Sequence, residues 1–335
     1  MCHYILAIES SCDETAAAVL KDGFELKSSV IASQVDIHKE YGGIVPELAS
    51  RHHLKDIGHV VKKALHQAKI TPSELEAVCA TQGPGLVGSL VIGFSFAKAM
   101  AVSLGIPFTG VNHVSAHLLS IFLEDSRPEF PFIGLVVSGG HTSLYRVESF
   151  MTAELIGHTR DDAAGEAFDK VSKLLGLGYP GGPQISQLAE KGNPDAFLFP
   201  KARLVDDPYG FSFSGLKTAV HTALSRLSGD EIQTRTPDIC ASFQKAVVEV
   251  LVSKTLHAAK NYGIMSVIAA GGVASNKALR NEMNMQGKAN GIRAFFPSPA
   301  FCTDNAAMVA IAGYHQLNAG VTAKPEADVY SKMLC

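Results

Sequence analysis

The order of predicted elements in this 335-residue chain reads the same way twice, and that duplication limits the fold more than any other feature. Apolar, β-branched runs predict strands at Tyr4–Glu9, Thr15–Lys21 and Leu26–Ser33. A helical pattern follows from Pro46 to Lys69, with the proline in the first turn, where its missing N–H costs nothing. Strand Ala77–Thr81, helix Ser89–Leu104, strand Phe108–Val111 and helix His113–Leu123 complete a βββαβαβα order. The second half repeats it with strands at Phe132–Val137, Thr142–Val147 and Ala153–Thr159, then a helix from about Ile239 to Asn261. Strand Ser266–Ala270, helix Lys277–Met285, strand Arg293–Phe296 and helix Asn305–Leu317 close it. The block 160–237 has no counterpart and reads as an insert that carries substrate-specific contacts. Two α/β lobes are expected, 1–128 and 129–335, with the last helix a candidate to pack back on the first lobe.

A duplicated order of this kind is shared by actin, sugar kinases and heat-shock chaperone ATPases, the two-lobe ASKHA architecture. The analogy concerns fold and leaves the chemistry open. In each half the turn between the first two strands is polar or glycine-rich: Ser10-Ser11-Cys12-Asp13-Glu14 and Ser138-Gly139-Gly140-His141-Thr142. Gly271-Gly272-Val273-Ala274-Ser275-Asn276 is a third such turn. Small residues let backbone N–H groups approach phosphate oxygens, so the three together favour nucleotide binding over plain strand connections. Gly83-Pro84-Gly85-Leu86-Val87-Gly88 matches a dinucleotide fingerprint, but no acid lies between Glu76 and Glu124 to meet ribose hydroxyls. That loop is read as structural or cleft-lining, and a nicotinamide cofactor is excluded.

Composition narrows the setting. The six cysteines form no Cys-x-x-Cys pair, which argues for thiols in a reducing compartment. The amino terminus has no basic region before its first strand, and no apolar run is expected to approach the ~20 residues of a membrane span. A cytoplasmic protein is expected. The net charge of −3 offers no global attraction to nucleic acid, so an RNA contact needs a local patch. Arg51-His52-His53-Leu54-Lys55 with Lys62 and Lys63 is one candidate, against the plainer alternative of a solvated helix face.

His113 and His117 are four apart at a helix start, which places both imidazoles on one face and suits two ligands of a Zn2+ or Fe2+ ion. A zinc peptidase would need a glutamate inside that spacing, and Val114, Ser115 and Ala116 stand there instead. Asp304 is the expected third ligand. Its default role is a helix cap, but His113 and Asp304 each begin the last helix of their own half, and pseudo-twofold packing would bring those starts together.

These residues belong to a recognisable set. Ile8-Glu9-Ser10-Ser11-Cys12-Asp13-Glu14-Thr15, Asn112-His113-Val114-Ser115-Ala116-His117, Val137-Ser138-Gly139-Gly140-His141-Thr142 and Gly165-Glu166-Ala167-Phe168-Asp169-Lys170 resemble one family. So do Phe211-Ser212-Phe213-Ser214-Gly215-Leu216-Lys217, the turn 271–276 and Cys302-Thr303-Asp304-Asn305. The family is the bacterial tRNA N6-adenosine threonylcarbamoyltransferases (TsaD), once called glycoproteases, and the resemblance runs from about 4 to 320. It implies transfer of threonylcarbamoyl from threonylcarbamoyl-AMP to N6 of the adenosine 3′ of the anticodon, in tRNAs reading codons that begin with A. It implies metal ligands at His113, His117 and Asp304, with Fe2+ favoured and Zn2+ the other candidate. It places substrate contacts at Val136, Val137, Ser138, Gly139, Gly140, Asp169, Gly182 and Asn276. Asp13 and Glu14 are candidates for proton handling, with hairpin capping as the alternative. A TsaB-like paralogue and a TsaE-like ATPase are the implied partners. Archaeal and eukaryotic members carry a metal-contacting Tyr just before V-S-G-G where this chain has Val136, which resembles the bacterial or organellar branch. An actin-like small-molecule kinase is the main rival, followed by an idle scaffold that only holds tRNA or a partner.

Overall fold

The computed structural model describes residues 3–202, 204 and 206–332, so Cys2 and Cys335 lie outside the described residues. The chain divides into two compact units: Met1–Arg127 with Thr303–Cys335, and Pro128–Cys302. The closing segment is therefore counted with the first unit rather than with the second.

The first unit is built from β1 (Tyr4–Glu9), β2 (Glu14–Lys21), β3 (Glu25–Ser33), α1 (Val35–Lys39), α2 (Pro46–Ala68), β4 (Ala77–Gly83), α3 (Val87–Leu104), β5 (Phe108–Asn112) and α4 (His113–Leu119). The second has β6 (Phe132–Val137), β7 (Thr142–Val147), β8 (Ala153–His158), α5 (Ala164–Leu174), α6 (Gly181–Ala189), α7 (Ser214–Leu224) and α8 (Gly229–Asn261). It ends with β9 (Ser266–Ala270), α9 (Lys277–Ala289), β10 (Arg293–Phe295) and α10 (Pro299–Cys302), and α11 (Ala306–Asn318) returns to the first unit. The sheet orders are β3-β2-β1-β4-β5 and β8-β7-β6-β9-β10, the same topology twice. In each, the first two strands of the half pair antiparallel and the first pairs parallel with the fourth.

Burial explains why β1 reads as a continuous apolar run. Ile5, Leu6, Ala7 and Ile8 are all inaccessible, because helices cover both faces of this central strand. Leu6 and Ile8 pack with Phe94 and Ala97 of α3 and with Ile57 and Val61 of α2. On the other face α11 comes so close that a Cβ on Gly313 would sit 2.5 Å from the Cys79 sulfur. In both sheets the parallel pair ends its strands on the same side, and ligands of open α/β sheets gather at such carboxyl ends.

Three expectations change. The expected helix 113–123 stops at Leu119 and tightens into a 3-10 turn over Ser120–Leu123. Helix α8 starts at Gly229, well before the expected Ile239: a capping box between Ser228 and Glu231 secures the turns that precede Pro237. The helix α3 is eighteen residues with a mean hydropathy of 1.7, long and apolar enough by those measures to cross a membrane. It carries Lys98 and buries Leu90, Phe94, Ala97 and Ala101 within its own unit.

Candidate metal centre

Two strands and two helices of the first unit bring the carboxylates and imidazoles together. Strand β1 ends at Glu9, and β5 ends at Asn112, whose side-chain oxygen caps α4 by accepting the Ser115 N–H at 3.0 Å. That cap starts the helix at His113, so His117 follows one turn later on the same face; their ring centres are 4.7 Å apart at 82°. At α11 the capping role falls to Asn305, which accepts the Met308 N–H at 2.9 Å. The neighbouring Asp304 is thus left to face the histidines. Its Oδ1 lies 3.1 Å from His117 Nε2 and 3.6 Å from His113 Nε2. One ligand atom from each of the three lies within 4.8 Å of the others. Two neutral imidazoles and one carboxylate are a donor set that fits a divalent transition ion, and the group can hold one.

Behind the histidines stands Glu9, fully buried. Its Oε2 is 3.1 Å from His113 Nδ1 and accepts the Thr81 hydroxyl at 2.7 Å, while Oε1 accepts the Ser11 N–H at 2.5 Å. The Ser11 hydroxyl is also 3.1 Å from His113 Nδ1. Without an ion, burial would lower the His113 pKa, but Asp304 and Glu9 outweigh it and raise it to about 9. Burial likewise pushes Glu9 up, and the His113 imidazolium outweighs that and holds it below its ordinary value. By contrast, His117 Nδ1 is buried with no hydrogen-bond partner among the described residues.

The turn after β1 is braced from two sides. Buried His53 on α2 sets Nε2 at 3.0 Å from the Cys12 carbonyl and Nδ1 at 2.8 Å from the Thr15 hydroxyl. Burial lowers its pKa, so neutral His53 donates from Nε2 and accepts from Thr15. His53 is therefore no part of the candidate surface patch at 51–55, and Arg51 pairs with Glu47. On the other side Leu86 N–H donates to the Ser11 carbonyl at 2.8 Å, and a Cβ on Gly85 would fall 2.6 Å from that oxygen. The glycine loop after β4 thus serves to hold the Ser11 turn. Cys12 stays a thiol, since burial and then the Asp13 charge push its pKa well up.

Glu14 accepts the Ser33 hydroxyl at 2.8 Å, and burial followed by Asp13 raises its pKa to about 9. Below its ordinary value of 4.5 both folded and unfolded forms are protonated; above it only the unfolded chain ionises, so stability falls as pH rises towards 9. In chelator-treated protein, Glu14→Gln is expected to melt higher than wild type by a margin that widens from pH 5 to pH 9.

In the second unit the predicted contacts 136–140 lie at and just beyond the carboxyl end of β6, Asn276 follows the turn after β9, and Asp169 and Gly182 lie on α5 and α6. The Ser138 hydroxyl accepts the His141 N–H at 3.1 Å, closing a tight turn on which Gly139 and Gly140 are exposed. A Cβ on either glycine, or on Gly182, would meet nothing within 4 Å, which leaves these backbones open to a ligand. Gly271, at φ +95°, brings the third turn against the end of β6; its Cβ would fall 2.4 Å from the Val137 carbonyl oxygen. Asp169 accepts the Gly181 N–H at 2.7 Å and so ties α5 to the start of α6. Asn276 caps α9 through the Leu279 N–H at 3.1 Å and donates to Gln244 at 2.7 Å. Val136 and Val137 are wholly inaccessible strand residues whose main chains pair with β7, and Val136 also pairs with β9.

Sequence reasoning assigned no individual role to Glu9 or Thr81, and it read His53 only within a candidate RNA patch and Ser11 only within a candidate phosphate turn. For Glu9 there was a signal: a carboxylate closing an otherwise apolar strand is a residue that needs a partner.

A model of the tRNA N6-adenosine threonylcarbamoyltransferase family (TsaD) matches residues 25–311. The chain is similar to the protein of that name from Syntrophotalea carbinolica, 53% identical over 95% of this chain and 93% of the relative. It is similar to one from Clostridium perfringens, 51% identical over 94% of this chain and 93% of the relative. Among solved structures it resembles full-length HypF in a phosphate- and nucleotide-bound form, with TM-score 0.64 at 14% identity over 96% of this chain and 47% of that one. It also resembles component A of the Acidaminococcus fermentans (R)-2-hydroxyglutaryl-CoA dehydratase, with TM-score 0.56 at 15% identity over 94% and 99%. At such identities the structural likeness speaks to fold, and it agrees with a duplicated actin-like α/β architecture.

Proposed function

Because the chain belongs to the tRNA N6-adenosine threonylcarbamoyltransferase family, we propose that it transfers threonylcarbamoyl from threonylcarbamoyl-AMP to N6 of the adenosine 3′ of the anticodon, in tRNAs reading codons that begin with A. The adenine amine forms a bond to the carbamoyl carbon and gives up a proton, while the bond from that carbon to the phosphate oxygen breaks and AMP leaves. The observation that carries this reading is the convergence of His113, His117 and Asp304, backed by Glu9, in a chain aligned with 93% of its relative. The kinase reading is not favoured by a family match of this extent.

Each unit carries its own set of proposed contacts. Exposed backbone at Gly139, Gly140 and Gly182 supports binding of the adenylate phosphate, with Asp169 and Asn276 towards the ribose or base. Val136, Val137 and Ser138 supply the strand end and turn that hold this loop. In the first unit His113, His117 and Asp304 hold the metal, Fe2+ in preference to Zn2+. When bound, such an ion anchors the threonyl moiety and acts as a Lewis acid. Glu9 orients His113 by fixing which ring nitrogen carries the proton. Asp13 and Glu14 are the proton-handling candidates, and the raised pKa of Glu14 keeps that carboxyl protonated at neutral pH, as a proton donor requires. A TsaB-like paralogue and a TsaE-like ATPase complete the cytoplasmic system.

The test is single-turnover transfer of labelled threonylcarbamoyl from its adenylate to unmodified tRNA, with both partners and Fe2+ supplied. Modified adenosine is expected. Its absence, together with phosphoryl transfer from ATP to a metabolite, would return the chain to the kinase class.

A further inference from the structure

The family match ends at residue 311, yet the chain continues into a strap that reaches the helix bearing both histidines. From α11 it runs back across the first unit. Ala323 N–H donates to the Phe108 carbonyl at 2.8 Å, and Lys98 Nζ donates to the Pro325 and Ala327 carbonyls at 2.9 and 2.7 Å. Gln82 then grips it twice, donating from Nε2 to the Asp328 carbonyl at 2.7 Å and accepting the Tyr330 N–H on its own carbonyl at 3.1 Å. At the end of this path the Tyr330 hydroxyl accepts from Asn112 Nδ2 at 3.0 Å.

Asn112 is the residue whose other amide atom caps α4. An asparagine caps only while its oxygen faces the helix, and the two ends of the amide are held here by opposite partners, Ser115 N–H and Tyr330 Oη. The helix is seven residues long, and a helix so short depends on its cap and on tertiary contacts. Tyr330 is itself seated on Gly83, where a Cβ would fall 2.1 Å from the Tyr330 carbonyl and 2.7 Å from its ring. Gly83 pairs across to Asn112 at the irregular end of the β4–β5 ladder, and the loop it opens holds Ser11, which faces His113 Nδ1. The strap therefore bears on the site along two routes, through Asn112 and through the glycine loop.

We propose that the closing strap sets the metal-site helix, with Tyr330 as a positioning residue that acts on His113 through the Asn112 cap. The inference rests on reading His113, His117 and Asp304 as metal ligands, but its first readout does not. Tyr330→Phe keeps the ring on Gly83 and removes only the acceptor. Hydrogen exchange at the Ser115 amide is expected to quicken in full-length Tyr330→Phe and, to a smaller degree, in Gln82→Ala, which removes the side-chain bond to Asp328 and leaves Asn112 untouched. Zn2+ affinity, titrated against a chromophoric chelator, is expected to fall about 3- to 10-fold, less than the 10- to 100-fold typical of a residue bonded directly to a ligand. Transfer should lose kcat with KM for tRNA unchanged. In Asn112→Ser, which retains a capping oxygen but has no amide to offer, adding Tyr330→Phe should change nothing further. Unaltered Ser115 exchange and Zn2+ affinity in Tyr330→Phe would overturn the proposal, as would an effect of equal size in the Asn112→Ser background. A wild-type chain that binds no Zn2+ at these residues would instead overturn the metal reading, and Ser115 exchange would still decide the role of the strap.

Discussion

Asp304→Ala is expected to weaken divalent-metal binding by ~10²-fold or more and to abolish transfer at micromolar metal. Structural zinc sites hold their ion with ~10–16 kcal/mol over four ligands, so one ligand accounts for about 3 kcal/mol, which is roughly two decades of affinity. Asp304→Asn keeps an oxygen near both Nε2 atoms and should fall between wild type and Ala. The metal-free chain supplies a separate readout. His113 is raised from 6.5 to about 9, so its charged pairing stabilises the fold fully below pH 6.5 and is lost as pH climbs towards 9. Asp304 is the first of the two carboxylates that raise it. Denaturant midpoints in chelator should therefore decline from pH 6.5 to 9 in wild type and decline less in Asp304→Ala. Full metal affinity and transfer in Asp304→Ala would remove the carboxylate from the site.

How far the sequence could be read depended on where each element's stabilising partners lie. β1 and β6 were legible because burial on both faces makes them apolar throughout, and the repeated order then implied the repeated sheet. The helices of the insert were not: α6 opens on Gly181-Gly182-Pro183 and α7 on Ser214-Gly215, and packing around Phe168, Ile185 and Leu216 overrides those weak propensities. Helix α8 was missed before Pro237 although its start carries a local signal, the capping box of Ser228 and Glu231, because an interior proline was read as the helix boundary. At the site, His113 and His117 were visible because their spacing is local. Asp304 needed the repeat argument, because its partners are 187 and 191 residues away (304 − 117 and 304 − 113). The capping roles of Asn112, Asn276 and Asn305 are local as well, but the sequence could not say which of Asp304 and Asn305 would cap α11. Glu9 and Tyr330 act across 104 and 218 residues, and no periodicity announces such pairs.

Glu9 offers the sharpest separation between holding the fold and tuning the metal. Glu9→Ala in metal-free protein strips the partner from a buried imidazolium and orphans the Ser11 N–H and the Thr81 hydroxyl together. Breaking a buried charged pair from one side costs ~3–5 kcal/mol, a loss that urea denaturation at pH 6 would read directly. Glu9→Gln is the informative variant. Its amide oxygen can still accept one of the three hydrogen bonds, so a chain that needs Glu9 only for packing should tolerate it and keep its affinity for metal. A chain in which Glu9 holds the proton on His113 Nδ1, leaving Nε2 free to face the ion, should not. It is expected to lose ~10- to 100-fold in metal affinity, the usual cost of removing a carboxylate behind a ligating histidine. Among the described residues His117 Nδ1 has no hydrogen-bond partner, so no carboxylate braces that ring as Glu9 braces His113. The ligand pair is thus oriented from the His113 side, and the carboxylate at the end of β1 is where that orientation begins.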